Sequence, residues 1–282
     1  MSRSAHRLLP GAEPIHSRRA MPFLRLRQIC LVAHELEPVV DDLCAVLGLQ
    51  VCHRDPGVER FGLHNALMRV GSSFIEVVAP IRDGTAAGRH LARGGGDCGY
   101  MVILDCDDLT PWRKHVAKLG VREASWLEVP GYTGLQLHPR DTGGALLEIN
   151  HTPGGESLAG PYWPAGPHWQ DLQGSDVALA MTGATLSSND PGQLVGRWAK
   201  ILQRDRVLNA LELDNARLSF LPTQVDDHQG LTGVDLNVAD VAKVIANARI
   251  RSCETTDDAV AIGGIWWQLS QGTCKPAGLV AN

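Results

Sequence analysis

LRQICLVA, residues 26–33, opens the stretch that decides the fold: it alternates into an apolar run suited to a buried strand. LEPVVDDLCAVLGL (36–49) then sets Val39, Leu43, Val46 and Leu47 at helical spacing, with Gly48 placed to end the helix. Three strand-like pieces follow: LQVCHRD (49–55), GLHNALMRVG (62–71) and SSFIEVVAP (72–80). Asp55-Pro56-Gly57 and Gly71-Ser72 supply turn chemistry between them. The unit reads βαβββ.

The same text recurs downstream. GYMVILDC (99–106) reads as a strand and DLTPWRKHVAKLGV (108–121) as a helix ending near Gly120. REASWLEV (122–129), YTGLQLHP (132–139) and ALLEIN (145–150) read as three more strands. Aligning Glu35-Leu36 with Asp108-Leu109 sets Gln28 opposite Met101 and Glu76 opposite Glu148, and the two intervals differ by a single residue. That agreement argues internal duplication. A looser echo, strand–helix–strands twice over, runs through MTGATLSSNDPGQLVGRWAKIL (181–202), ALELDNARLSFLP (210–222), LTGVDLNVADVAKVIANARI (231–250) and DDAVAIGGIWWQLS (257–270). The expected class is α+β, with four modules forming curved mixed sheets in two domains.

The domain expectation is 22–153, then a connector at 154–174, then 175–282. The connector lies in TPGGESLAGPYWPAGPHWQDLQG (152–174), whose Gly and Pro content marks a linking segment. Tyr162, Trp163 and Trp169 argue for an ordered strap rather than a free linker, because such rings pack on something. Residues 1–21 carry basic residues but no apolar core of a secretory signal, so they read as a flexible leader, with Met21 an alternative start.

Composition narrows the function classes. In 282 residues, 44% are hydrophobic and 20% charged, which suits a globular chain. A net charge of −5 without a long basic stripe argues against nucleic acid as partner. No apolar run is long enough for a membrane span. Seven cysteines without a CxxC pair read as reduced thiols, which points to the cytoplasm.

Paired βαβββ modules, Gly48-Leu49 after the first helix and Glu76-x3-Pro80 after the fourth strand resemble the vicinal oxygen chelate superfamily, also known as the glyoxalase or bleomycin-resistance fold. RFGLHNALMRVGSSFIEVVAP (60–80) is similar to its glyoxalase-like subgroup. The resemblance covers residues 24–153 well and 175–282 weakly. It implies an open barrel holding a divalent metal on ligands from the first and fourth strands of each module. Here those places read Gln28, Glu76, Met101 and Glu148. Gln28, Glu76 and Glu148 offer oxygen ligands for Mn, Fe, Ni, Zn or Mg, whereas the Met101 thioether adds nothing to such a centre.

Glu76 and Glu148 each sit between apolar neighbours, so alternation sends both carboxylates to the face opposite the helix-side core. His64 and His138 are candidates to move a proton together with Glu148, since a neutral imidazole suits that task. Tyr100, Met101, Asn65 and Arg140 are candidate substrate contacts. The Gly94–Gly96 run matches neither dinucleotide nor phosphate-loop patterns and reads as a flexible joint on the cavity rim. In the C-terminal pair the ligand places fall near Gly183, Leu218 or Ser219, Gly233 and Gln268, and the region has only His228, so it reads as a degenerate domain.

Two functions stay open. One is a metal-dependent lyase or isomerase acting on a small oxygenated substrate, with Gln28, Glu76 and Glu148 as ligands. The other is a metal-free protein that binds or sequesters a small apolar or aromatic molecule in the same cavity. Homodimer formation and any use of glutathione are also left open.

Overall fold

The computed structural model describes residues 23–223 and 229–272. The expected leader with Met21, and His228, lie outside the described residues. β1 (Leu24–Val32) is buried along its whole length. α1 (Leu36–Leu47) follows and ends at Gly48, whose φ of 64° is the left-handed conformation that glycine adopts without a Cβ penalty. β2 (Val51–His53), β3 (Leu63–Val70) and β4 (Ser73–Pro80) complete the first module.

A further helix, α2 (Ala86–Gly94), precedes the second module. The Thr85 side chain caps it by accepting from Gly88 N–H at 2.9 Å, and Gly95 closes it at φ 75°. The glycine run read as a flexible joint is thus the C-terminal end of a helix. The second module consists of β5 (Cys98–Cys106), α3 (Thr110–Lys118), β6 (Glu123–Val129), β7 (Tyr132–Leu137), the single turn α4 (Pro139–Thr142) and β8 (Leu146–His151).

These strands form one eight-stranded sheet in the order β2-β3-β4-β1-β5-β8-β7-β6. β1 and β5 meet antiparallel at its centre, with Gln28 opposite Ile103 and Cys30 opposite Met101. Each pairs in parallel with the last strand of its own module, Cys30 beside Glu76 and Ile103 beside Glu148. The duplication seen in the text is a pseudo-twofold arrangement about the sheet centre.

A seven-stranded sheet follows, β10-β11-β12-β9-β13-β15-β14. Its third module is β9 (Ala178–Ser188), α5 (Pro191–Leu202), β10 (Arg206–Val207), β11 (Ala210–Glu212) and β12 (Arg217–Pro222). The fourth is β13 (Gly230–Val238), α6 (Val241–Ile250), β14 (Ala259–Ile262) and β15 (Ile265–Gln271), with a single Thr255–Val260 bridge beside them. The architecture is α+β with two mixed sheets, as the repeat predicts.

Helix-side residues of both sheets feed one buried cluster. It includes Ile29, Leu31 and Val77 from the first sheet, Leu43 from α1, Leu186 and Val234 from the second sheet, and Trp198 and Trp267. Trp198 Nε1 also donates to Thr142 O at 3.1 Å, tying α5 to the end of α4. Burying such apolar surface at roughly 25 cal/mol per Å² is the main stabilising term. The first sheet's other face carries what the core rejects: Arg25, Arg27, Gln28, Glu76 and Glu148, all buried. Among the described residues no helix is long and apolar enough to cross a membrane.

Candidate functional site

That polar face is built by strand alternation plus one irregularity. In β4, Ile75 and Val77 enter the core and Glu76 points the other way; in β8, Leu147 and Ile149 do the same around Glu148. β1 departs from simple alternation. The register with β5 slips between Leu26 and Gln28, so Arg27 and Gln28, though adjacent, both serve the polar face.

Glu76 is held by two amides. Gln28 Nε2 donates to Oε2 at 2.8 Å and Asn65 Nδ2 to Oε1 at 2.7 Å. Asn65 Oδ1 in turn accepts from Asp55 N–H at 2.8 Å. Glu148 accepts from the Tyr132 hydroxyl, from Gln136 Nε2 at 2.8 Å and from Asn150 Nδ2 at 3.3 Å. Gln28 Oε1 accepts from the Tyr162 hydroxyl at 3.0 Å, so the strap reaches the centre of the network.

Both carboxylates are held above the usual carboxylate range. Burial is the main cause in each, opposed at Glu76 by its Asn65 and Cys30 contacts and at Glu148 by Tyr132, Gln136 and Asn150. An acid whose pKa rises on folding contributes most stability below its unfolded value, near 4.3 for Glu, and loses it as pH climbs toward the folded value. Glu148→Gln should therefore gain stability relative to wild type as pH is raised from about 4.3 toward neutral, with a slope of up to about 1.4 kcal/mol per pH unit. Paired urea titrations across that range check it, and a difference that is flat or of opposite slope would show that Glu148 is charged at no penalty.

The strap packs on the same face. Tyr162 and Trp169 are each 2% exposed and cluster with Phe74 and Ala165. Tyr162 stacks on Phe74 with centroids 4.9 Å apart, and Trp163 stacks on Tyr132 at 5.2 Å. Arg25 donates to Gly155 O at 2.7 Å and Glu156 O at 2.9 Å, Arg27 to Leu158 O at 3.1 Å, and Arg69 to Leu172 O at 3.0 Å. At the far end of the same face α2 packs Ala87 and Leu91 onto Cys30, Val32, Val78 and Met101.

The sequence-derived candidates divide accordingly. Gln28, Asn65 and Glu76 come together, and Glu148 anchors the second half of the network. Met101 is buried in the apolar patch under α2, with Tyr100 packed against it. Burial, with Cys30 and Glu76 nearby, pushes the Tyr100 hydroxyl up to about 12. His64 is exposed between the buried Leu63 and Asn65. The ring of His138 caps α4, with Nδ1 accepting from Arg140 N–H at 3.2 Å, and the Arg140 side chain is exposed. Neither histidine hydrogen-bonds either carboxylate. Tyr132, Gln136, Asn150, Arg25, Arg27 and Arg69 are not among the candidates from the sequence, which marks Tyr162 only as a ring that orders the strap. Gln136 carried a usable signal, because its Leu135 and Leu137 neighbours repeat the pattern around Glu148.

The donor set argues against a metal. Gln28 presents its amide nitrogen, not its oxygen, to Glu76. Every oxygen of Glu76 and Glu148 already accepts from a neutral donor of this chain. The third place, Met101, is a thioether among apolar side chains, and among the described residues no three of His, Cys, Asp and Glu gather. These residues do not fit a divalent ion.

No protein family and no curated protein matches the chain in sequence. Among solved structures, the Mn(II)-bound glyoxalase of Novosphingobium aromaticivorans is similar over 86% of this chain and 80% of its own, at 14% identity and a TM-score of 0.56. Methylmalonyl-CoA epimerase of Streptomyces coelicolor aligns at 23% identity with 45% of this chain and 96% of its own, TM-score 0.42. The Mycobacterium tuberculosis epimerase aligns at 20% identity with 45% and 87%, TM-score 0.41. The chain-wide likeness shows a glyoxalase-like fold.

Proposed function

We propose that this chain binds a small molecule on the concave face of its first sheet, without a metal, as a sequestering protein built on a glyoxalase-like fold. One observation carries the reading: the two carboxylates at the ligand places are fully partnered by amides and a phenol of the chain itself. A carboxylate so engaged is a fixed acceptor, and displacing its donors to admit an ion would leave buried amides unsatisfied, at about 1–3 kcal/mol each. The aromatic groups on the same face, Phe74, Tyr132 and Tyr162, favour an aromatic or apolar ligand.

Elemental analysis of the purified protein, with thermal-shift screening of Mn, Fe, Ni, Zn and Mg salts beside small aromatic and oxygenated compounds, tests the proposal. Organic compounds should raise the melting temperature and the salts should not. Stoichiometric metal that is retained by wild type and lost in Glu76→Gln/Glu148→Gln would overturn it in favour of a metal-dependent lyase or isomerase.

A further inference from the structure

Resting on the binding reading above, we propose that Tyr162 is a tethered stand-in for the ligand, and that the ligand is a hydroxyaryl compound that also carries a carboxylate or carbonyl. The phenol of Tyr162 comes from the strap, yet most of its surroundings belong to the sheet. Its ring lies flat on Phe74 (interplanar angle 13°), the Arg27 guanidinium sits 5.0 Å from its centroid, and its hydroxyl donates to Gln28 Oε1. Those contacts would hold a free phenol equally well.

Two buried donors beside this seat have unmet needs. Arg27 Nε and Trp169 Nε1 are buried donors with no hydrogen-bond acceptor among the described residues. Arg27 stands 5.8 Å from the Trp169 ring, so both serve the same corner. Buried polar atoms are ordinarily satisfied, and each such exception calls for an explanation. A ligand carrying an acceptor meets the need of these two donors, while its hydroxyl takes the place of the Tyr162 hydroxyl on Gln28 Oε1.

The attachment of the strap is replaceable for the same reason. Its carbonyl oxygens, at Gly155, Glu156, Leu158 and Leu172, are neutral acceptors for three guanidinium groups. A carboxylate makes charge-assisted, bidentate bonds to arginine that are roughly twice as strong as neutral ones. Ligand entry thus exchanges weak acceptors for a strong one and a tethered phenol for a free one.

The test is titration of wild type, Tyr162→Ala and Tyr162→Phe with 4-hydroxybenzoate, benzoate, phenol and cyclohexanecarboxylate. Amide hydrogen exchange over residues 154–172 is followed in parallel, with circular dichroism confirming that each variant is folded. We expect 4-hydroxybenzoate to bind wild type and speed exchange in the strap. Tyr162→Ala should bind it at least about tenfold tighter, because the tethered competitor acts at an effective concentration near the millimolar range. Benzoate, phenol and cyclohexanecarboxylate should each bind Tyr162→Ala about tenfold more weakly or worse, a selectivity that a mere cavity left by a deleted ring would lack. Tyr162→Phe, which keeps the ring and loses only the hydroxyl, should lie between the two.

Equal binding of 4-hydroxybenzoate and phenol by Tyr162→Ala would overturn the proposal, as would unchanged strap exchange on binding. If non-aromatic compounds from the thermal-shift panel stabilise the protein while 4-hydroxybenzoate does not, this ligand class fails and the binding reading stands. Retained stoichiometric metal would remove both.

Discussion

Asp105→Ala should lower the stability of the protein by about 3–5 kcal/mol, the range for stripping one partner from a buried ion pair. Asp105 lies opposite Arg25 in the β1–β5 ladder and takes a two-pronged contact from it, Oδ1 to Nε at 3.0 Å and Oδ2 to Nη2 at 2.6 Å. Arg27 Nε stands 3.8 Å from the same carboxylate, and all three side chains are less than a tenth exposed. Removing the carboxylate leaves two guanidinium groups buried without their counter-charge. Because those groups also hold the strap, hydrogen exchange at residues 154–172 should rise before the sheets open. Urea denaturation gives the magnitude. Arg25→Met/Asp105→Leu is the control, since an apolar pair of similar volume commonly replaces a buried ion pair at little loss. A single-variant loss below about 1 kcal/mol would mean that water already reaches the pair.

Gly264→Ala should be comparably damaging, about 3 kcal/mol or more, for a backbone reason. Gly264 turns β14 into β15 at φ 75°. A Cβ there would overlap the carbonyl carbon and oxygen of Asp97, backbone atoms at the entrance to β5 that cannot swing aside. The contact joins the second sheet to the first, so the substitution pushes the sheets apart as well as straining the turn. Two glycines calibrate the result. Gly84 has a similar φ of 74° with nothing within 4 Å of an added Cβ, so its alanine variant should lose only about 1 kcal/mol. Gly196, inside α5 with open space around it, should gain about 0.5–1 kcal/mol on substitution. Thermal denaturation of the three variants checks the order, and a Gly264→Ala variant as stable as Gly84→Ala would show that the inter-sheet contact yields.

Much of the candidate site is legible in the amino-acid sequence. Glu76 and Glu148 stand out because each interrupts an apolar strand at the same point of two repeats, and strand geometry leaves them only the face opposite the core. Gln28 emerges through the same repeat. The histidines mislead because a residue type suited to proton transfer carries no information about direction. His64 takes the exposed alternate position between two buried neighbours, and His138 is consumed in capping a helical turn. Arg25 and Arg27 are visible as charges inside an otherwise apolar strand, yet nothing local says what faces them. Their carboxylate lies 80 residues from Arg25 and their strap acceptors about 130 away.

Local periodicity therefore determined the modules, their duplication, the end of α1 at Gly48 and the inward aim of the two carboxylates, because each depends on neighbours a few residues apart. The tertiary structure alone decided that the register slip turns both Arg27 and Gln28 to one face. It also decided that amides and a phenol partner both carboxylates, and that the strap lowers Tyr162 into the sheet. Those outcomes depend on which distant acceptor meets which buried donor, and satisfying such groups is a property of the assembled fold.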